Sequence, residues 1–156
     1  ILGRPDNEKY SLGDLLKWGI DKINSNNIFP DYVVYANPEY IFREKAYLDK
    51  IIKEISTKGL DSVFTGLRDF SDYWFHSKKN DQYAPVNTEL LNREEKFPLY
   101  KSLFGLGTVV KPQLLRNKTF ISKDNVEIIY TDNILHSLRA NSSSIIKLIE
   151  NIDEAE

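Results

Sequence analysis

The segment Asn37-Pro38-Glu39-Tyr40-Ile41-Phe42-Arg43 follows the apolar run Tyr32-Val33-Val34-Tyr35-Ala36 without a break. Asn37 carries donors and an acceptor on a short stem, so it can read a hydroxyl or an amide on a ligand. Pro38 fixes the turn and biases Asn37 toward extended backbone. Arg43 falls near the start of the next helix, where a positive charge opposes the helix dipole. That local penalty points to another job, either binding an anion or tying down the loop. A plainer alternative is that Asn-Pro is only a turn and Arg43 only a surface ion-pair partner. Both readings stand on the residues alone.

Other reactive types are sparse. The chain has no Cys, which excludes a disulfide framework, a thiolate metal site and a cysteine nucleophile, and is compatible with a cytoplasmic setting. His76 and His136 are the only histidines, and neither has a second His or Cys at ligand spacing, so both read as non-ligands. Ser142 to Ser144 read as a helix cap, because no Gly-x-Ser-x-Gly elbow exists. The net charge of −2 gives no basic field for nucleic acid. No apolar run approaches the roughly 18 residues that a membrane span needs, and the N-terminus lacks the basic start and apolar run of a signal peptide. The chain contains no Met. Translation begins with Met, so Ile1 is expected not to be the natural start.

The elements that must position these residues follow from periodicity. Leu12, Leu15, Leu16, Ile20 and Ile23 fall on one helical face after a capping Ser11, with Asp14 in the first turn. Asp31 to Ala36 suits a buried strand. From Glu44 to Gly59 the period is again helical, with Ala46, Leu48, Ile51, Ile52 and Ile55 inward and Gly59 as C-terminal cap. Asp61 to Gly66 is the next strand. Helix, strand, helix, strand is the alternation of a parallel α/β sheet.

The pattern changes between Leu67 and Tyr100. Lys78-Lys79-Asn80-Asp81 reads as a hairpin turn between Tyr73–His76 and Gln82–Val86. Tyr73, Trp74 and Phe75 cannot all face one core as a strand. An outward ring would serve as an interface anchor, and core packing of alternate rings is the competing view. Ser102 to Val110 reads as one strand whose glycines allow close approach of backbone or ligand, ended by Lys111-Pro112. Phe120-Ile121-Ser122 and Val126–Thr131 read as two short strands. A final helix buries Ile145, Ile146, Leu148 and Ile149.

Four segments, in order, resemble the acylneuraminate cytidylyltransferases, the family that makes CMP-sialic acid and related CMP-nonulosonates. They are the Arg4-Pro5 stretch with its following helix, Asn37 to Arg43, Leu60 to Gly66, and Asn92 to Lys101. The family carries Gln-Pro-Thr-Ser-Pro-x-Arg after a strand. Here Pro38 and Arg43 match it, and Asn37 replaces Gln.

The resemblance implies a three-layer α/β/α fold with a mostly parallel, Rossmann-like sheet of the nucleotide-diphospho-sugar transferase type. It implies one partial domain over residues 1–156, with residues 67–100 as a dimerisation excursion anchored by Tyr73, Trp74 and Phe75. The implied activity is the acceptor-sugar half of a transfer of a cytidylyl group from CTP to an acidic nonulosonate, in a homodimer. Asn37 and Arg43 would line the sugar pocket, and Arg93 and Lys101 would hold the sugar carboxylate. A guanidinium fork suits that carboxylate. Without the resemblance, Asn92 to Lys101 reads as a solvated charge run.

Two departures bear on activity. The family's glycine- and basic-rich phosphate loop has no counterpart in this chain. Where the family has Asp-x-Asp for magnesium, Arg139 and Asn141 stand, with Asp132 and Asp153 not far away and Asp132 as the metal candidate. Magnesium is therefore expected from the family and not from these residues. By itself this chain is expected to be catalytically incomplete. The alternative is a non-catalytic sugar-acid-binding or assembly module on the same sheet.

Overall fold

The structure, a computed structural model, describes residues 10–86 and 95–153. Helix α1 (Leu12–Asn24) opens with the expected cap. The Ser11 hydroxyl accepts from the Asp14 N–H at 3.2 Å, and the Asp14 carboxylate accepts from the Ser11 N–H at 3.1 Å. This reciprocal box satisfies two N–H groups that the first turn cannot. Strand β1 (Val33–Tyr35) follows, then α2 (Tyr47–Lys58) and β2 (Ser62–Asp69). Gly59 caps α2 in the left-handed region as expected. The helix starts at Tyr47, so Ala46 is its exposed N-cap, at φ 60°, and does not belong to the buried face.

Strands β3 (Trp74–Ser77) and β4 (Gln82–Pro85) form a separate two-stranded hairpin. Then come β5 (Leu99–Ser102), β6 (Thr108–Val110), α3 (Pro112–Arg116), β7 (Val126–Thr131), a 3-10 turn (Ile134–Ser137) and α4 (Ser143–Asp153).

Strand β2 is the hub of a mixed five-stranded sheet. β7 runs parallel to it along one edge, from Ser62↔Val126 to Leu67↔Thr131. The other edge is shared end to end by antiparallel β6, opposite Ser62–Phe64, and antiparallel β5, opposite Gly66–Asp69. β1 pairs antiparallel with β6. So β1, β2 and β7 point the same way, as the helix–strand alternation predicts, and β6 is inserted between β1 and β2 in the opposite sense.

The expected single strand from Ser102 to Val110 is two strands. A turn at Phe104-Gly105-Leu106 separates them, closed by the Leu106 N–H on the Leu103 carbonyl at 2.9 Å. Phe120-Ile121-Ser122 is not a strand either. The Ser122 N–H bonds the buried Ser62 hydroxyl at 3.0 Å instead of a ladder carbonyl, and Phe120 meets Phe104 and Tyr35 edge-on.

Helices cover both faces. Tyr47, Ile51 and Ile55 of α2 pack with Val63, Leu67, Leu103, Leu106 and Val109. On the opposite face Ile20 of α1 and Leu115 of α3 pack on Val110, with Val33, Phe120 and Ile121 around them. This is the three-layer α/β/α arrangement. On α1 only Ile20 is fully buried, and Ile23 is exposed. Helix α4 departs further from its expected face. Ile146 and Leu148 are exposed, and the side chain of Ile149 lies outside those described.

Candidate functional site

The carboxyl ends of the co-directional strands and the turn between β5 and β6 meet at one end of the sheet. In open α/β sheets this is where ligands bind. The Asn37–Arg43 loop leaves β1 there. Its shape is set locally by an Asx-type turn, in which the Asn37 side-chain oxygen accepts from the Glu39 N–H at 2.9 Å. The Tyr40 N–H closes on the Asn37 carbonyl at 3.2 Å. Asn37 is half-buried.

Arg43 holds this loop to the β5–β6 turn. Its Nε donates to the Leu106 carbonyl at 2.7 Å, and one Nη2 donates to the Asn37 and Gly105 carbonyls at 2.8 and 2.9 Å. The Asn37 N–H returns a bond to the Gly105 carbonyl at 2.7 Å. Of the jobs the sequence left open for Arg43, tying down the loop is the one these bonds perform. Gly105 is required by space. A Cβ there would lie 2.5 Å from a Tyr40 ring carbon and 2.8 Å from the Asn37 Cβ.

A second chain segment reaches the same loop. The Ala140 N–H bonds the Glu39 carbonyl at 2.9 Å. Beside it, Arg139 grips Glu39 Oε2 with Nε, at 2.9 Å, and with Nη2. The Arg139 guanidinium also lies 5.7 Å from the centre of the Tyr40 ring. The bonds to Glu39 push the Arg139 pKa up, and burial pushes up that of the Tyr40 phenol. Nothing in the sequence pairs Glu39 with Arg139, which are 100 residues apart. The only signal was the presence of a cation where the resembled family keeps carboxylates.

The remaining candidates sit elsewhere. Lys101 is exposed on β5 and lines a cavity of about 610 Å³ with Tyr73, Trp74, Val86, Leu99 and Tyr100. Asn37 and Arg43 do not line that cavity. Arg93, like Arg4 and Pro5, lies outside the described residues. Tyr73, Trp74 and Phe75 are all exposed, at 39%, 63% and 51%, and Tyr83 across the hairpin at 73%. None of the three rings is therefore taken up by the core, whichever face of the hairpin it occupies.

Magnesium wants clustered hard anionic oxygens. Among the described residues no three of His, Cys, Asp and Glu stand together so as to hold a metal ion. Both Asp132 oxygens are engaged by Arg68, at 2.8 and 2.7 Å, and Arg68 stacks over Tyr130 at 4.6 Å. Thus Asp132 serves an ion pair, and Arg139 adds a cation where the resembled family keeps a carboxylate. These described residues do not fit a magnesium centre. His136, which is buried, meets the Thr131 hydroxyl at 2.9 Å through Nδ1.

Mixed sheet, helices on both faces and polar loops at the strand ends together define a three-layer α/β, Rossmann-like fold. A solved structure with this fold is the 4-diphosphocytidyl-2C-methyl-D-erythritol synthase of Anaerococcus prevotii DSM 20548, similar at a TM-score of 0.57 and 10% identity. The likeness covers 92% of this chain and 68% of that one. At that identity it speaks to fold alone. No family model matches the sequence, and no curated protein matches it. Among the described residues no helix is long and apolar enough to cross a membrane.

Proposed function

We propose that this chain is the acceptor-sugar half of a cytoplasmic, homodimeric nucleotidyltransferase that moves a cytidylyl group from CTP to an acidic nonulosonate such as sialic acid. The observation that carries the reading is the Asn37–Arg43 loop, pinned at the carboxyl end of β1 in a fold similar to that of the solved diphosphocytidyl-methylerythritol synthase. In such a transfer the anomeric hydroxyl of the sugar attacks the α-phosphorus of CTP and pyrophosphate leaves. Protein groups contribute by positioning the partners and neutralising charge. In this reading Asn37 contacts the sugar, and Lys101 with Arg93 meets its carboxylate.

A second reading is a sugar-acid-binding or assembly module without catalysis. It is favoured by the engagement of Asp132 with Arg68 and by the absence of a metal-ligand cluster among the described residues. Calorimetry with N-acetylneuraminic acid and with CTP, each with and without Mg2+, tests the proposal. The expected result is saturable binding of the sugar acid without metal, weakened about tenfold or more by Lys101→Ala, as for loss of a charged hydrogen bond. Absence of sugar-acid binding would overturn both readings. Turnover of CTP with the sugar acid would reject the second.

A further inference from the structure

Arg139 is a cation at the Asn37–Tyr40 loop whose side chain is held by a carboxylate and not by the main chain. Arg43, by contrast, is committed to carbonyls of three residues. Two features make the Arg139 pairing replaceable. First, the pair is open to solvent, with the side chains of Arg139 and Glu39 43% and 36% exposed, and exposed ion pairs of this kind are weak because water and salt screen them. Second, the two chain segments do not depend on the pair to stay together, since the Ala140 N–H to Glu39 carbonyl bond joins them through the backbone. Glu39 can therefore let go of the guanidinium while the loop keeps its place.

The grip is also of a particular kind. Nε and Nη2 of Arg139 converge on one oxygen of Glu39. This is the edge of a guanidinium closing on a single oxyanion oxygen, beside the face of Tyr40. A carboxylate or a phosphate oxygen from outside presents the same charge and the same lone pairs.

We propose that Arg139 is an anion-binding residue of this site and that Glu39 is its built-in stand-in, displaced when a carboxylate or phosphate group of a ligand arrives. This rests on the reading of the loop as a ligand site. It adds a further anion contact at the loop, beyond the Lys101 and Arg93 assigned to the sugar carboxylate, and says what occupies that contact before the ligand comes.

The test is binding to the full chain of three probes, each without metal, measured by calorimetry. The probes are N-acetylneuraminic acid, CTP and inorganic pyrophosphate. Glu39→Gln removes the competing carboxylate and keeps the shape, so at least one probe should bind about two- to fivefold tighter than to wild type, the range set by a weak exposed pair. Arg139→Gln should weaken the same probe at least about tenfold, and Arg139→Lys should recover part of the loss. A gain in affinity cannot come from a misfolded variant, so Glu39→Gln keeps the test decisive even if Arg139→Gln is unstable.

The probes separate the two levels of the argument. Pyrophosphate binding that follows this pattern, with no binding of sugar acid or CTP, would uphold the Arg139 site and reject the sugar-acid reading. Sugar-acid binding that ignores both substitutions would uphold that reading and reject the Arg139 site. No binding of any probe, or a Glu39→Gln variant that binds no tighter than wild type, overturns the proposal.

Discussion

Replacing Arg43 with alanine should loosen the site end of the sheet, and the size of the effect follows from its bonds. The guanidinium makes three charge-assisted bonds to main-chain carbonyls, and both the arginine and its Asn37 acceptor are half-buried. A hydrogen bond to a charged group contributes about 1.5–3 kcal/mol. The three share one donor group and are not additive. Water can also reach part of the vacated loop, and Asn37 keeps the Tyr40 N–H on its carbonyl. Arg43→Ala is therefore expected to destabilise the chain by about 2–4 kcal/mol. That is a large share of the roughly 5–15 kcal/mol of an ordinary domain, and it corresponds to a fall in Tm of about 5–15 °C for a chain of this length. Urea unfolding monitored by tryptophan fluorescence and by circular dichroism gives the number directly. Arg43→Lys keeps the charge and loses the planar fork, so it should recover less than half. A change within about 0.5 kcal/mol for Arg43→Ala, the range of an indifferent surface substitution, would refute the view that this arginine holds the two loops together.

Sedimentation velocity at micromolar concentration is expected to show a homodimer, because the rings of Tyr73, Trp74 and Phe75 are exposed together, and Trp74→Ser with Phe75→Ser should shift it to monomer. A strictly monomeric wild type would count against the hairpin as an interface. Asp69 should titrate low. The Ser71 side chain, then the Tyr73 hydroxyl and the Ser71 N–H, hold its carboxyl at about 2 against an ordinary 3.8. A depressed carboxylate adds stability above its unfolded pKa and loses it as the pH falls through the folded one, so this turn should loosen between about pH 4 and pH 2. The increment is small because the group is solvent-screened. NMR titration of the Asp69 carboxyl reads it, Tyr73→Phe should raise the midpoint, and a wild-type midpoint near 3.8 would dismiss the bonds.

Much of the fold was legible because periodicity and caps are local. Ser11, Asp14 and Gly59 announce helix ends, and Lys78 to Asp81 announce a hairpin. What was not legible is non-local. A short apolar run carries no record of its direction, so nothing around Thr108–Val110 says that β6 runs against its neighbours. Phe120 to Ser122 has strand composition, but the Ser62 hydroxyl takes the N–H that a ladder would need. In the site, the helix-dipole argument drew attention to Arg43 although α2 begins only at Tyr47 and leaves Arg43 in the loop, and the sequence offered loop-tying as one answer. It could not name the acceptors, because Gly105 and Leu106 act there through carbonyls that every residue possesses. Glu39 went unnoticed for a similar reason, since its partner lies far along the chain.

That last point bears on how such a loop can change over generations. A clamp that addresses main-chain oxygen is blind to side-chain identity. The carbonyls that Arg43 holds would be offered by any residue at positions 37 and 106, so what fixes those two side chains is separate: the turn at Asn37 and the core at Leu106. Gly105 is the exception, hemmed in by Tyr40 and Asn37. The loop thus separates two kinds of position. Arg43 and Gly105 are bound to the scaffold and resist replacement. The side chain of Glu39, a residue whose backbone carbonyl and not its carboxylate ties the loop to Ala140, can be exchanged to suit a different molecule without rebuilding what supports it.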